Sequence, residues 1–431
     1  MMYDLAIIGG GPAGYSAAFE AIKYGFSIIM FEKELLGGTC LNRGCIPTKF
    51  LARSAELFSK SKDSEEYGII SENIMLDFSK TSAQMQNTIS CLRNNLVGLL
   101  QQNRIEIVNG YAAVTGLNSI VCNDISYEAK NIIIATGSVY ESPIVPEALS
   151  GDDVLMLNRI PQRVKIIGGG VVAIEFAYIF NQFGSDVTIC IRGERILKKW
   201  DKELAISVSQ NLKRQGIKIV PKCEEQVFSD GEYDFIMSAT GRRPFYNNDN
   251  FSIALDEKGA IIVDQNGRTS QPNVYAAGDV ISGSSMLAHI AMEQGRNVVR
   301  HIAGKEVSRS VIASCIYLSP EVATVGLNEA EAKDLGIDVV TGKVNMASNA
   351  MTQICTDKRC FIKIVAERST HQIIGAQLLC ERASDISSEF VVAINNNLTV
   401  EEFIKSVHPH PSFSEAIQDA LSAIEEKLNE I

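Results

Sequence analysis

Leu5-Ala6-Ile7-Ile8-Gly9-Gly10-Gly11-Pro12-Ala13-Gly14 is the stretch whose reading decides the fold. Four successive apolar residues suit a strand buried on both faces of a parallel sheet. Gly9, Gly11 and Gly14 then follow at the spacing G-x-G-x-x-G. Glycines there permit a tight turn and let the backbone approach a pyrophosphate at the start of a helix, which the pattern carries to about Tyr24. A second strand is predicted over 27–31. It leads into Glu32, whose carboxylate can accept hydrogen bonds from a ribose diol.

The plan recurs further along the chain. A strand over 164–167 precedes Gly168-Gly169-Gly170, a helix over 172–183 follows, and a strand over 187–191 closes the unit. The register matches: Gly9 to Gly14 corresponds to Gly168 to Ala173, and Gly9 to Gly25 corresponds to Gly168 to Gly184. One such turn can be an ordinary tight turn. Two in register, each between strand and helix, predict two dinucleotide-binding folds in an α/β protein. At the offset that separates Gly9 from Glu32, the second copy has Ile191, followed by Arg192 and then Arg195, Lys198 and Lys199. A missing acid with cations beside it leans to a 2′-phosphate and NADP(H) rather than NAD(H). The alternative is that these cations form a solvated surface.

The 431 residues allow about three domains. A net charge of -11 with no basic stripe argues against nucleic acid. No run of apolar residues is long enough for a membrane span, and the first residues lack a basic leader, so a cytoplasmic protein is expected. The ten cysteines include no Cys-x-x-Cys, and no metal is expected. Two pairs share the spacing Cys-x4-Cys. Cys355/Cys360 have no glycine context and read as incidental thiols on a hairpin turn before a strand over 361–365. Cys40/Cys45 stand in Gly37-Gly38-Thr39-Cys40-Leu41-Asn42-Arg43-Gly44-Cys45-Ile46-Pro47-Thr48-Lys49, entering a helix predicted to about Leu57. Such spacing lets two sulfurs meet at a helix start, where the dipole favours a thiolate.

This motif resembles the redox motif of the pyridine nucleotide-disulfide oxidoreductases, the flavoprotein family that includes dihydrolipoyl dehydrogenase and glutathione reductase. The resemblance extends over nearly the whole chain and implies FAD and NAD(P)(H) as cofactors. It implies that Cys40 exchanges disulfides with substrate, that Cys45 lies against the flavin as a thiolate, and that Lys49 pairs with Glu175 near the flavin ring. For FAD it implies Gly9, Gly11, Pro12, Ala13, Gly14, Glu32, Lys33, Gly38 and Thr39. The turn Ala135-Thr136-Gly137 and the segment through Gly278-Asp279 belong to the same site, with Asp279 on the ribityl chain. Met286-Leu287-Ala288-His289 follows as in dihydrolipoyl dehydrogenases, His289 serving to pack or to position backbone. For the nicotinamide nucleotide it implies Gly168, Gly170, Ala173, Arg192 and Gly241, the last within Ala239-Thr240-Gly241-Arg242-Arg243-Pro244.

Near the end stands His408-Pro409-His410-Pro411-Ser412-Phe413-Ser414-Glu415. Disulfide exchange needs a base, and histidine titrates in the useful range. By the resemblance His410 is that base, Glu415 orients it and His408 supports it. The segment would act on the partner subunit's disulfide, making a homodimer with shared active sites, and His410-Pro411 is a candidate cis bond. The division expected is an FAD domain (1–140 and 264–309), an NAD(P) domain (141–263) and an α+β interface domain (310–431), with an interface helix over 387–396.

The expected activity is dihydrolipoyl dehydrogenase-like oxidation of dihydrolipoamide, free or on a lipoyl domain. The alternatives are an NADPH-dependent reductase of a small or protein disulfide and a docking subunit of a 2-oxoacid dehydrogenase complex. Three departures from the family stand out. A hairpin is trimmed between residues 220 and 233. Val171 replaces the aromatic lid of glutathione reductases. Arg43 replaces an apolar residue between the cysteines, which would alter substrate charge preference.

Overall fold

The computed structural model describes all residues except 1, 144, 146, 224–232, 248–250, 356–358 and 431. The trimmed hairpin and the middle of the Cys355–Cys360 turn lie outside the described residues. The chain forms two compact units, Met1–Leu51, Asp77–Arg159 and Thr240–Ser308 in one, and Ala52–Leu76, Ile160–Ala239 and Arg309–Ile431 in the other.

In the first unit the opening apolar run is β1 (Met2–Ile8), followed by α1 (Pro12–Ile22) and β2 (Ile28–Glu32). α1 stops two residues short of the expected end because the chain turns at Gly25, φ 73°. The sheet continues with β3 (Glu106–Asn109), β4 (Ala112–Gly116), β5 (Ser119–Cys122) and β6 (Ile125–Ile134), in the order β3-β2-β1-β6-β5-β4. β1 runs parallel to both β2 and β6, so both its edges are paired. Leu5 and Ile7 lie in one buried cluster and Ala6 and Ile8 in another, so both its faces are covered, as its composition demands. In the same unit β7 (Ser138–Tyr140) pairs antiparallel with β12 (Arg242–Pro244), and β13 (Val274–Ala276) joins β6 in parallel. The helix Ala288–Ile302 packs on α1 so closely that a Cβ at Gly295 would collide with the Ala13 carbonyl oxygen.

The second unit carries two sheets. Four parallel strands, β8 (Arg163–Ile167), β9 (Asp186–Cys190), β10 (Lys218–Val220) and β11 (Phe235–Ser238), lie in the order β10-β9-β8-β11. Five antiparallel strands include β14 (Ala313–Ile316), β15 (Glu321–Gly326), β16 (Val339–Asn345), β17 (Phe361–Glu367) and β18 (Ile373–Cys380). The helix Ala383–Asn395 buries Ile386, Phe390 and Ala393 in the core of this sheet and leaves Val392 exposed. β16 and β17 pair antiparallel up to Asn345 and Phe361, and Cys355 caps a short helix, Ala350–Ile354, in the connection between them.

Lys363 lies in the apolar strand β17 and is only 3% exposed. Its Nζ is 2.9 Å from Asp201, 3.1 Å from Glu329 and 3.5 Å from Glu203. Burial opposes its charge, but Asp201 and then Glu329 prevail and raise its pKa. A raised lysine pKa contributes stability present below the unfolded value and lost as pH climbs through the folded one. Lys363→Met, which strands Asp201, is expected to cost about 3 kcal/mol, read as a lowered urea midpoint.

Candidate active site

The glycine turn of the first unit is shaped by what a side chain would strike. Gly9 has φ 108°, and a Cβ there would run into the Ala135 carbonyl oxygen; one at Gly14 would strike Gly9 itself. Gly38 approaches Gly11 so nearly that its Cβ would sit 2.7 Å from the Gly11 Cα. This cradle of bare backbone ahead of α1 fits a pyrophosphate. Glu32 ends β2 with both carboxylate oxygens at the turn, one accepting from Gly10 N–H and one from Glu34 N–H, each at 2.8 Å. Each oxygen keeps a lone pair that a ribose hydroxyl can use. Lys33 lies with its Nζ 4.4 Å from the centre of the Phe245 ring, and Thr136 donates its hydroxyl to the Phe245 carbonyl.

Residues far apart in sequence meet around Asp279. Its Oδ2 accepts from the Ser138 hydroxyl at 2.7 Å. Arg242 donates to the same hydroxyl at 2.9 Å and to the Ser138 carbonyl at 2.8 Å, and reaches the Thr39 hydroxyl at 3.5 Å. Its guanidinium stacks 4.3 Å above Tyr140. Met286 takes a left-handed φ of 53°, and Leu287, in extended conformation, caps the helix that begins with Ala288-His289. Gly278 N–H donates to Gln294 at 2.9 Å, fixing the backbone before Asp279.

The expected single helix after the cysteine motif is two: α2 (Gly38–Arg43) and α3 (Cys45–Lys62). Gly44 separates them, with φ -129° and ψ -107°, and a Cβ there would sit 3.0 Å from the Thr39 carbonyl oxygen. That close approach lets the Cys45 thiol, at the first residue of α3, hydrogen-bond with Cys40. Asn42 holds the loop through the carbonyls of Gly38 at 2.9 Å and Leu36 at 3.0 Å, and Arg93 holds Asn42 at 3.0 Å. The bond to Cys45, then burial, pushes the Cys40 thiol well up, while Lys49 pulls the other way. Tyr15 on α1 faces the same pair: burial, then Cys40 and Cys45, raise its pKa to about 12.

The second turn repeats the first. Gly168 has φ 132°, and its Cβ would collide with the Ala239 carbonyl oxygen as that of Gly9 would with Ala135. Leu197 N–H donates to Gly169 O at 2.8 Å, as Gly37 N–H does to Gly10 O at 2.9 Å. Ile191 takes the place of Glu32, its side chain 2.8 Å from where a Gly169 Cβ would be. Ala173 is fully buried in the helix Val171–Gln182. Arg192, Lys198 and Lys199 are exposed. Arg195 differs from the expected cluster of phosphate cations, because it donates to the carbonyls of Leu197, Lys198 and Trp200 and so shapes the loop itself. Glu175 is buried and accepts from the Tyr317 N–H at 3.1 Å.

At the C-terminal end each histidine has its own carboxylate. His410 Nδ1 is 2.7 Å from Glu415 Oε1, and the His410 side chain is 76% exposed. Glu415 opens the helix Glu415–Asn429, and its other oxygen accepts from Ser412 N–H at 2.7 Å. That bond, then His410, holds its carboxyl below the ordinary range. The His408 side chain is 8% exposed, with Nε2 3.0 Å from Glu389. Its Nδ1 is buried and lacks a hydrogen-bond partner among the described residues. The His410-Pro411 bond is cis, as is Ser319-Pro320.

Residues 3–295 match the family model for pyridine nucleotide-disulphide oxidoreductase, and residues 312–421 match that family's dimerisation domain. The chain belongs to the pyridine nucleotide-disulphide oxidoreductases. This is a family of FAD- and NAD(P)-dependent oxidoreductase enzymes. Among similar members are the dihydrolipoyl dehydrogenases of Geobacillus stearothermophilus, 34% identical across 97% of this chain and 95% of the relative, and of Mycoplasma pneumoniae, 33% identical across 97% and 98%. The HOCl-induced flavoprotein disulfide reductase RclA from Escherichia coli has a similar structure, with a TM-score of 0.87, 25% identity and coverage of 98% of this chain and 100% of that one. Among the described residues no helix is long and apolar enough to cross a membrane.

Within this disulphide oxidoreductase, reasoning from sequence missed Ser138, Arg242, Tyr15 and Glu389. Arg242 carried a signal, since it stands in the quoted run Ala239-Thr240-Gly241-Arg242-Arg243-Pro244, where only Gly241 was given a role. Glu389 carried none, because its pairing with His408 depends on a helix and a loop meeting in three dimensions.

Proposed function

We propose that this chain oxidises dihydrolipoamide, free or on a lipoyl domain, passing electrons through Cys40 and Cys45 to FAD and on to NAD(P)+. The observation that carries the reading is the meeting of the two thiols at the start of α3, beside the Gly11–Gly38 cradle. The names of the relatives support the substrate. Gly9, Gly11, Pro12, Ala13, Gly14, Glu32, Thr39 and Asp279 would hold FAD, and Gly168, Gly170, Ala173 and Gly241 the nicotinamide nucleotide, in an enzyme of FAD, NAD(P) and interface domains. When bound, FAD supplies a two-electron acceptor that the dithiol alone lacks.

A dihydrolipoamide thiolate attacks Cys40 in the Cys40–Cys45 disulfide, and Cys45 leaves as a thiolate stabilised at the α3 N-terminus. His410 of a second copy, oriented by Glu415, takes the proton of the remaining substrate thiol. That thiolate then attacks the mixed disulfide, which releases lipoamide and Cys40. Lys49, on α3, keeps a positive charge near the reacting pair. The shared site makes the homodimer the active species. The test is an anaerobic titration of the purified protein with dihydrolipoamide. Bleaching of the flavin spectrum with a new long-wavelength band is expected, and an unchanged flavin spectrum would sink the substrate assignment.

A second reading, an NADPH-dependent disulfide reductase, is favoured by Ile191 in the place of Glu32 with Arg192 exposed beside it. The Escherichia coli neighbour, named a disulfide reductase, agrees with it. Arg192 is expected to give NADPH at least a tenfold higher kcat/KM than NADH, reversed in part by Arg192→Glu. A clear NADH preference in the wild type would remove this reading.

A further inference from the structure

Arg43 lies within the redox loop, three residues after Cys40 and two before Cys45. Its side chain is 45% exposed and pairs with two carboxylates. Its Nη2 is 2.6 Å from Glu34 Oε2 and its Nε 3.3 Å from Asp152 Oδ2. Asp152 lies in the short helix Gly151–Val154, and its Oδ1 is buried without a hydrogen-bond partner among the described residues. Burial raises the Asp152 pKa, while Arg43 and then Arg242 lower it. Arg242 is already engaged with Ser138 and Tyr140. Glu34 also has a longer contact with Lys33 Nζ at 3.8 Å. Without Arg43, Asp152 would lose its ion pair and Glu34 the shorter of its two, which leaves more negative charge beside the loop. On a helix, residues three apart are neighbours, so Arg43 and Cys40 share one edge of α2.

We propose that Arg43 is a positioning residue for the dithiol chemistry, cancelling the Glu34 and Asp152 carboxylates beside the redox loop so that the Cys40–Cys45 dithiol can ionise. This rests on the reading of that pair as the redox centre. Other titratable groups face the pair: Tyr15 on α1 with Arg296 beyond it, and Lys49 on α3. None of them touches Glu34 or Asp152 in a described ion pair. A full charge at roughly 10 Å, with an effective dielectric constant of about 20, alters thiolate formation about tenfold, equivalent to about one pH unit.

The test is the pH dependence of iodoacetamide labelling at Cys40 and Cys45 in the reduced FAD-loaded enzyme, followed by peptide mass mapping. Arg43→Met is expected to move the labelling midpoint up by about one pH unit, and Arg43→Lys to keep it near the wild-type value. Adding Glu34→Gln and Asp152→Asn to Arg43→Met brings the midpoint back down to the wild-type value or below it, because the three changes together remove one net negative charge. The two carboxylate changes with Arg43 intact move it down, which decides the matter even where Arg43→Met loses FAD. An unmoved midpoint in the carboxylate double variant, or a triple variant as shifted as Arg43→Met, overturns the proposal. If wild-type enzyme treated with lipoamide forms no Cys40–Cys45 disulfide, the redox-centre reading itself fails; a normal disulfide with unmoved midpoints removes only the role of Arg43.

Discussion

Cys45→Ser is expected to lower dihydrolipoamide oxidation by at least about a thousandfold. Serine is close in size and can start α3 after Gly44 as cysteine does, so the loop should keep its shape. What is lost is the leaving group. A serine cannot form the disulfide that the substrate thiolate must break, and an alkoxide is a far poorer leaving group than a thiolate stabilised at a helix N-terminus. The Cys40 thiol, pushed up by its bond to Cys45 and by burial, should label more readily at neutral pH once that bond is weakened. Nucleotide-dependent reduction of an artificial electron acceptor should persist, because that route bypasses the dithiol. Turnover of dihydrolipoamide within tenfold of wild type would refute the assignment of the pair. Steady-state assays with both acceptors measure both effects.

His410→Gln should cost about a thousandfold in the same reaction, within the range for loss of a general base. Glutamine can still reach Glu415, so a merely structural part for His410 would survive the change. Glu415→Gln should cost only about tenfold in kcat/KM. The Glu415 carboxyl is held below the ordinary range by the Ser412 N–H and then by His410. A depressed carboxylate contributes above its unfolded pKa, and that contribution disappears as pH falls through the folded value. Glu415 is therefore a carboxylate at neutral pH, where it can hold the His410 ring. Turnover at neutral pH unchanged by Glu415→Gln would dismiss Glu415 as the orienting partner.

The features legible in the sequence are those whose cause is local. The turns at Gly9 and Gly168 were readable because positive φ and the approach of a carbonyl oxygen leave no room for a side chain. Ile191 could be matched to Glu32 by counting, because two copies of one supersecondary unit share an offset. The break at Gly44 was not readable: Cys45 to Lys62 is ordinary helical sequence, and only the proximity of the Thr39 carbonyl shows why α2 and α3 must separate. Lys363 was hidden in an apolar strand, since the carboxylates that make its burial tolerable are at residues 201, 203 and 329. Arg195 was misleading for a similar reason. Its partners are the carbonyls of its own loop, and carbonyls leave no trace in a sequence.

The packing of Gly295 against Ala13 has a consequence for synthesis on the ribosome. β1 and α1 are among the first residues made, yet the strand Val274–Ala276 and the helix Ala288–Ile302 that complete their layer come roughly 270 residues later. At about 5–20 residues per second, the nascent first unit waits on the order of tens of seconds with one strand edge and one helix face uncovered. The residues of β8 to β11 emerge whole within that interval. The sheet that begins first is thus completed only after the four-stranded parallel sheet, and chaperone binding to stalled nascent chains should concentrate on lengths between the end of β6 and residue 302.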